Sequence, residues 1–274
     1  MRILNSIVFI LLIASATFSQ RVTTYSRSEL GVFIGGSYYI GDLNPYQHFT
    51  YSKPAGGLIF RYNVHSRLAL RFNALYGNVS ADDKDSKREL YKNRNLNFKS
   101  SIFEFAGGME FNYFPFQVGH PRYKGTAYLL AQIGFFQINP KATVNGKDEL
   151  LRPLGTEGQG SSLSTKNRYS LTQLCMPLGV GARLTLWKVG TLNLEFGIRK
   201  TFTDYLDDVH SDTYIDAVSL TKQNGPLAGK MSNTSLDGNP YGRRGNSVTK
   251  DWYVFYGFML TFKLGSHSSC PSAL

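Results

Sequence analysis

Eight stretches of this sequence alternate with a period of two between a face of larger apolar side chains and a face that holds Gly and charged groups, and that period dictates strands with two unlike faces. The stretches are residues 29–41, 55–62, 68–79, 101–113, 126–138, 173–186, 191–202 and 252–264. In the first, Leu30, Val32, Ile34, Tyr38 and Ile40 share a face, opposite Gly31, Phe33, Gly35, Ser37 and Tyr39. In the fourth, Phe103, Phe105, Met109, Phe111 and Tyr113 oppose Glu104, Glu110 and Asn112. In the last, Trp252, Val254, Tyr256, Phe258, Leu260, Phe262 and Leu264 make one continuous apolar face.

The minor face carries Arg61, Arg71, Glu104, Glu110, Arg183, Glu195 and Arg199. Turned to lipid near a bilayer midplane, a charge costs about 2–4 kcal/mol. Turned into a narrow lumen, acids and bases of both signs pair instead. The pattern therefore predicts an all-β fold: an eight-stranded antiparallel transmembrane β-barrel with structural charges inside and the greasy face outside. The links between strands support it, because long and short ones alternate. Outer-membrane barrels have long outer loops and short periplasmic turns. An even strand number puts both chain ends on the periplasmic side, so the first link is an outer loop and residues 63–67, 114–125 and 187–190 are periplasmic. Tyr38, Tyr39, Tyr62, Tyr76, Tyr113, Phe114, Phe116, Trp187 and Trp252 lie near strand ends, the place of interfacial girdles. The outer-loop stretches 155–162 and 223–247, rich in Gly, Ser and Asn, are expected to be mobile.

Residues 1–19 have the form of a signal peptide: Arg2, a mostly apolar run to Ala16, then Thr17 and Ser19 before a cut at Gln20. The run is too short to cross a bilayer, and no later stretch is long and apolar enough to do so as a helix. The expected organisation is a signal peptide (1–19), the barrel (20–265) and a short periplasmic tail (266–274). The formal net charge is +11. Its basic residues are scattered rather than striped, which argues against nucleic acid and for anionic headgroups of outer-membrane lipids as the acidic neighbour. Cys175 falls in a predicted strand and Cys270 in the tail; their positions offer no metal-ligand spacing.

Candidate chemistry is sparse, and no cofactor is expected. Eight strands leave space for side chains and not for an open channel. Asp207, Asp208, His210 and Ser211 are the residue types of acyl transfer, but neighbours in one loop seldom converge on a point. Asp204, Asp208, Asp212 and Asp216 recur every four residues. They lack the spaced ligands and central Gly of a calcium loop, so a solvated loop is the simpler reading. Residues 242–245 (Gly-Arg-Arg-Gly) match no phosphate-binding fingerprint, and the sequons at Asn78 and Asn233 have no bearing on a bacterial chain. No catalytic, cofactor or metal residues are assigned.

Two stretches carry a resemblance. One runs from Glu29 through Gly35, Gly36, Tyr38, Tyr39, Gly41 and Asp42 to Pro45; the other runs from Phe196 through Asp204, Tyr205, Asp207 and Asp208 to Val209. Together they resemble the PorG-like outer-membrane barrels of the Bacteroidetes, a component of the type IX secretion system. The resemblance implies a non-enzymatic role: linking the outer membrane to a periplasmic ring built from a lipoprotein and its partner. Both stretches fall at outer strand ends, so topology assigns ring contact to the periplasmic turns or the tail instead. The alternatives are a barrel that anchors or adheres through its outer loops and an outer-membrane lipid-modifying enzyme using the His210 region.

Overall fold

In the computed structural model the described residues run from Arg27 to Gly265; the expected signal peptide and tail, with Cys270, lie outside them. Eight long strands form the wall: β1 (Ser28–Ile40), β2 (Lys53–His65), β3 (Leu68–Asp82), β4 (Asn97–Asn112), β5 (Gly125–Ile138), β8 (Thr172–Thr185), β9 (Gly190–Thr201) and β10 (Trp252–Lys263). Each pairs antiparallel with the next, and β1 with β10, from Glu29 opposite Lys263 to Ile40 opposite Trp252, closes the ring. Closure leaves no wall strand with an unpaired edge, which is what a sheet in lipid requires. A small hairpin, β6 (Lys141–Val144) and β7 (Lys147–Leu150), rises from the wall between β5 and β8. Among the described residues four short α-helices lie in the long loops: α1 (Glu89–Arg94), α2 (Leu151–Leu154), α3 (Ala217–Asn224) and α4 (Pro226–Ser232). No helix among the described residues is long and apolar enough to cross a membrane.

The alternation sets which side chain points where, and a one-residue slip would exchange the faces. On β4, Phe105 and Met109 are 58% and 57% exposed, while the adjacent Glu104 and Glu110 are fully buried. Leu30, Val32 and Ile34 on β1 are likewise outside, as are Leu194 on β9 and Phe258 on β10. Tyr38 keeps the outward parity but is fully buried. The first long loop folds back over the wall there: His48 Nδ1 lies 3.1 Å from the Tyr38 hydroxyl, and the Phe49 ring packs on Tyr38, Phe196 and Tyr256. Tyr39 and Phe116 are not girdle residues. Tyr39 has the inward parity, and Phe116 turns from its link into the lumen, so both are buried inside.

Glycine on the inward face makes room for large lumen groups. A Cβ at Gly181 would run into the ring and hydroxyl of Tyr128. One at Gly41, just beyond β1, would strike Asp251 and the hydroxyl of Tyr39.

The ends of the barrel differ. Residues 41–52, 83–96, 139–171 and 202–251 form long loops at one end. Residues 66–67, 113–124 and 186–189 connect strands at the other, where β1 begins and β10 ends.

Candidate functional site

All seven charged residues of the minor face lie in the lumen, and an eighth, Glu29 on β1, joins them. Four arginines (Arg61, Arg71, Arg183, Arg199) thus meet four glutamates (Glu29, Glu104, Glu110, Glu195), and the formal charge inside is zero. Glu110 is the hub. Its carboxylate accepts from Arg61 at 3.0 Å and Arg183 at 2.5 Å, and lies 3.4 Å from Arg71. Glu29 takes the other side of Arg61 at 2.9 Å and a hydroxyl bond from Thr261 at 3.0 Å. Arg71 also pairs with Glu195, which accepts from Tyr128 at 2.7 Å. Nearer the long loops, Glu104 accepts from Arg199 at 3.1 Å and Tyr253 at 2.8 Å. Paired acids and bases, each with further hydrogen bonds, are the form in which buried charge is tolerable.

At the short-turn end Phe116 stops the lumen, with the Arg183 guanidinium 4.5 Å from its ring centre. Around it the surface is basic and aromatic. Arg67, Arg122, Lys124 and Lys188 are exposed, with Tyr113, Phe114 and Trp187, and the turn segments 63–67, 113–124 and 186–189 contain no Asp or Glu.

At the other end the long loops fold into a lid. The two stretches that carry the family resemblance meet there: the Tyr39 hydroxyl donates to Asp207 at 2.6 Å and to Asp251 at 2.9 Å. Asp208 accepts from Thr156 at 2.5 Å and Tyr169 at 2.6 Å. Arg94 grips Asp83 through two bonds of 2.7 Å and donates to the carbonyl of Asp42 at 3.1 Å. Arg244 pairs with Glu157 at 3.0 Å, and the same carboxylate accepts the backbone N–H groups of His210 and Ser211. Burial pushes the carboxyls of Asp42 and Asp208 up to about 6. Burial, with Asp251 and Asp42 beside it, holds Asp207 well above the carboxylate range; burial, with Asp204 and Asp42, does the same to Asp251.

Several loop expectations are corrected here. Residues 155–162 are not free: Thr156, Glu157 and Gln159 are buried in the lid. Within 223–247, Ser232 and Arg244 are buried too. Loop polarity points to mobility, but Thr156, Glu157 and Arg244 find partners far away in sequence. The acids at four-residue spacing divide in the same way. Asp204 and Asp208 are buried; Asp212 accepts from Ser247 N–H, and Asp216 caps α3 through Ser219 N–H. His210 Nδ1 lies 2.7 Å from Asp204, while Ser211 approaches Glu157 through its backbone N–H. Among the described residues no group of His, Cys, Asp and Glu is arranged to hold a metal ion. Cys175 sits in the lumen, 3.4 Å from the Tyr253 hydroxyl.

A filled lumen inside an apolar exterior is the architecture of an outer-membrane β-barrel. The structure is similar to Neisserial surface protein A (TM-score 0.41, 10% identity, 87% of this chain and 98% of that one). It is also similar to Ail, the attachment invasion locus protein of Yersinia pestis (0.41, 8%, 86% and 96%), and to OprG from Pseudomonas aeruginosa (0.41, 11%, 89% and 100%). No curated protein matches the sequence. Residues 2–221 match a sequence family, and the chain belongs to it: the family described as Domain of unknown function (DUF6089).

Proposed function

We propose that this barrel is a non-enzymatic outer-membrane subunit of a protein secretion machine of the type IX kind, docked through its short-turn face on a periplasmic ring of a lipoprotein and its partner. The observation that carries the reading is the closure of the barrel. The lumen is packed with paired charges, Phe116 stops one mouth and the loop lid covers the other. A barrel so filled passes nothing through itself and acts by its surfaces. The outer ends of the two stretches that resemble PorG-like barrels are used in the lid, where Tyr39 bonds to Asp207, and Asp208 to Thr156 and Tyr169. The short-turn face is left for a partner, and its exposed Arg67, Arg122, Lys124 and Lys188 suit an acidic one.

Deleting the gene tests the role. The expected result is loss of many proteins from the culture medium, with their retention in the periplasm, restored by the wild-type gene. A defect in surface attachment alone assigns the protein to adhesion instead. An altered lipid profile that His210→Ala reproduces assigns it to lipid modification.

A further inference from the structure

At the long-loop end, a recess of about 370 Å³ opens on the outside of the wall where β2 begins, β3 ends and β4 begins. Lys53, Lys99 and Lys141 line it, together with Tyr76, Ser101 and Asp148. Lys99 and Lys141 are direct cross-strand partners in the β4–β6 pairing. Like charges placed opposite each other destabilise a sheet. One carboxylate relieves them: Asp148 lies 2.5 Å from the Lys99 ammonium. Three lysines less one aspartate leave the recess at +2 (3 − 1). Both members of the Lys99–Asp148 pair are more than 40% exposed, so the recess is open to a ligand. Because the lumen charges cancel, the chain's surplus of +11 lies elsewhere, and part of it is gathered here.

Height along the barrel names the ligand. Lys99 shares the outward parity of Phe103 and Phe105, which belong to the apolar belt. It lies four residues beyond Phe103 (103 − 99), roughly 13 Å along a strand rising ~3.3 Å per residue. At a strand tilt of about 40° that is ~10 Å of height, which carries the ammonium out of the hydrocarbon and into the headgroup layer. Half-exposed Tyr76 stands at the recess with its ring available to the boundary. We infer that the recess formed by Lys53, Lys99 and Lys141 binds the phosphate of a membrane lipid in the leaflet at the long-loop end. The acyl chains lie on the belt below, and the serine hydroxyl of Ser101 is a further donor to the phosphate. The inference rests on the proposed orientation, with the long loops outside an outer membrane.

The test extracts the tagged full chain and a K53Q/K99Q/K141Q variant from their own outer membranes in mild detergent. Correct folding of both is read from unheated electrophoretic mobility, and bound lipid from mass spectrometry. Lipid-stripped protein is then titrated with lipid A, with dephosphorylated lipid A and with inorganic phosphate. The wild type is expected to retain phosphorylated lipid and the variant at least tenfold less, with high salt weakening the wild type's hold. Should the triple variant not fold, K53Q and K141Q made singly are expected to lower retention severalfold each. Equal retention by the variants overturns the inference. So does equal retention of dephosphorylated lipid A, which assigns the contact to acyl chains, and so does saturation by inorganic phosphate at the affinity of lipid A. Labelling of Lys147→Cys on intact cells separates the two readings: an unlabelled site removes the orientation, while labelling without lipid retention removes the binding site alone.

Discussion

Replacing Glu110 by Gln removes the acceptor shared by Arg61, Arg71 and Arg183 while keeping the side chain's size. Four arginines then face three glutamates, and the surplus positive charge is fully buried among three guanidinium groups that repel one another. Removing one partner from a buried pair costs about 3–5 kcal/mol, and a hub serving three partners belongs at the upper end of that range. Glu104→Gln is the internal control. That carboxylate serves one arginine and one tyrosine, and Arg199 keeps its bond to the carbonyl of Gly197, so the loss is smaller, about 3 kcal/mol. Combining Glu110→Gln with Arg183→Gln restores a neutral lumen and should recover part of the loss, a coupling that a double-mutant cycle reads directly. The assay is urea unfolding from lipid vesicles, followed by tryptophan fluorescence and by the unheated gel shift. A loss under 1 kcal/mol for Glu110→Gln, or a larger loss for Glu104→Gln, would refute the view that the paired lumen holds the barrel together.

Other outcomes follow from the same geometry. Gly181→Val forces the Tyr128 ring off Glu195 and should destabilise by about 1–3 kcal/mol, measured in the same unfolding assay. Phe116→Ala empties the short-turn mouth and costs about 3–5 kcal/mol, but planar-bilayer recording should show no steady conductance, because the charge ladder above it still fills the bore. The lid should loosen as pH rises. Asp42 and Asp208 titrate at about 6 in the folded lid against about 4 in an unfolded chain, so the stability they contribute is present in acid and is lost between about pH 4 and above 6. Amide exchange across residues 202–251 should quicken over that interval, and Asp208→Asn should flatten the response; an unchanged rate in the wild type contradicts the assignment.

Legibility divided along the barrel axis. The wall could be read because an antiparallel strand between lipid and lumen records its two environments in alternate residues, and all eight strands were placed within a few residues of their ends. The alternation does not mark Glu29 as a lumen charge, because it opens its strand, where the period has only one side to count from. Tyr38 shows the limit of parity: it points outward, but whether it is exposed depends on His48 and Phe49 folding back over the wall. The lid was hidden for a stronger reason. Tyr39 meets Asp207 and Asp251 across separations of 168 and 212 residues, and no local period encodes such a pairing. Gly, Ser and Asn in residues 155–162 and 223–247 signal irregular backbone equally well whether the segment is free or packed. The resemblance singled out Asp42, Asp204, Asp207 and Asp208 as residues; only the fold brings their segments to one place.

The most direct test of the proposed role is capture of the tagged protein from membranes in mild detergent, with mass spectrometry of what accompanies it, in parallel with a variant carrying Arg122→Glu, Lys124→Glu and Lys188→Glu. The account predicts that a periplasmic ring lipoprotein and its partner come with the wild type and are depleted at least tenfold with the charge-reversed, folded variant. Recovery of the barrel alone, from an extract in which that ring is intact, would contradict it.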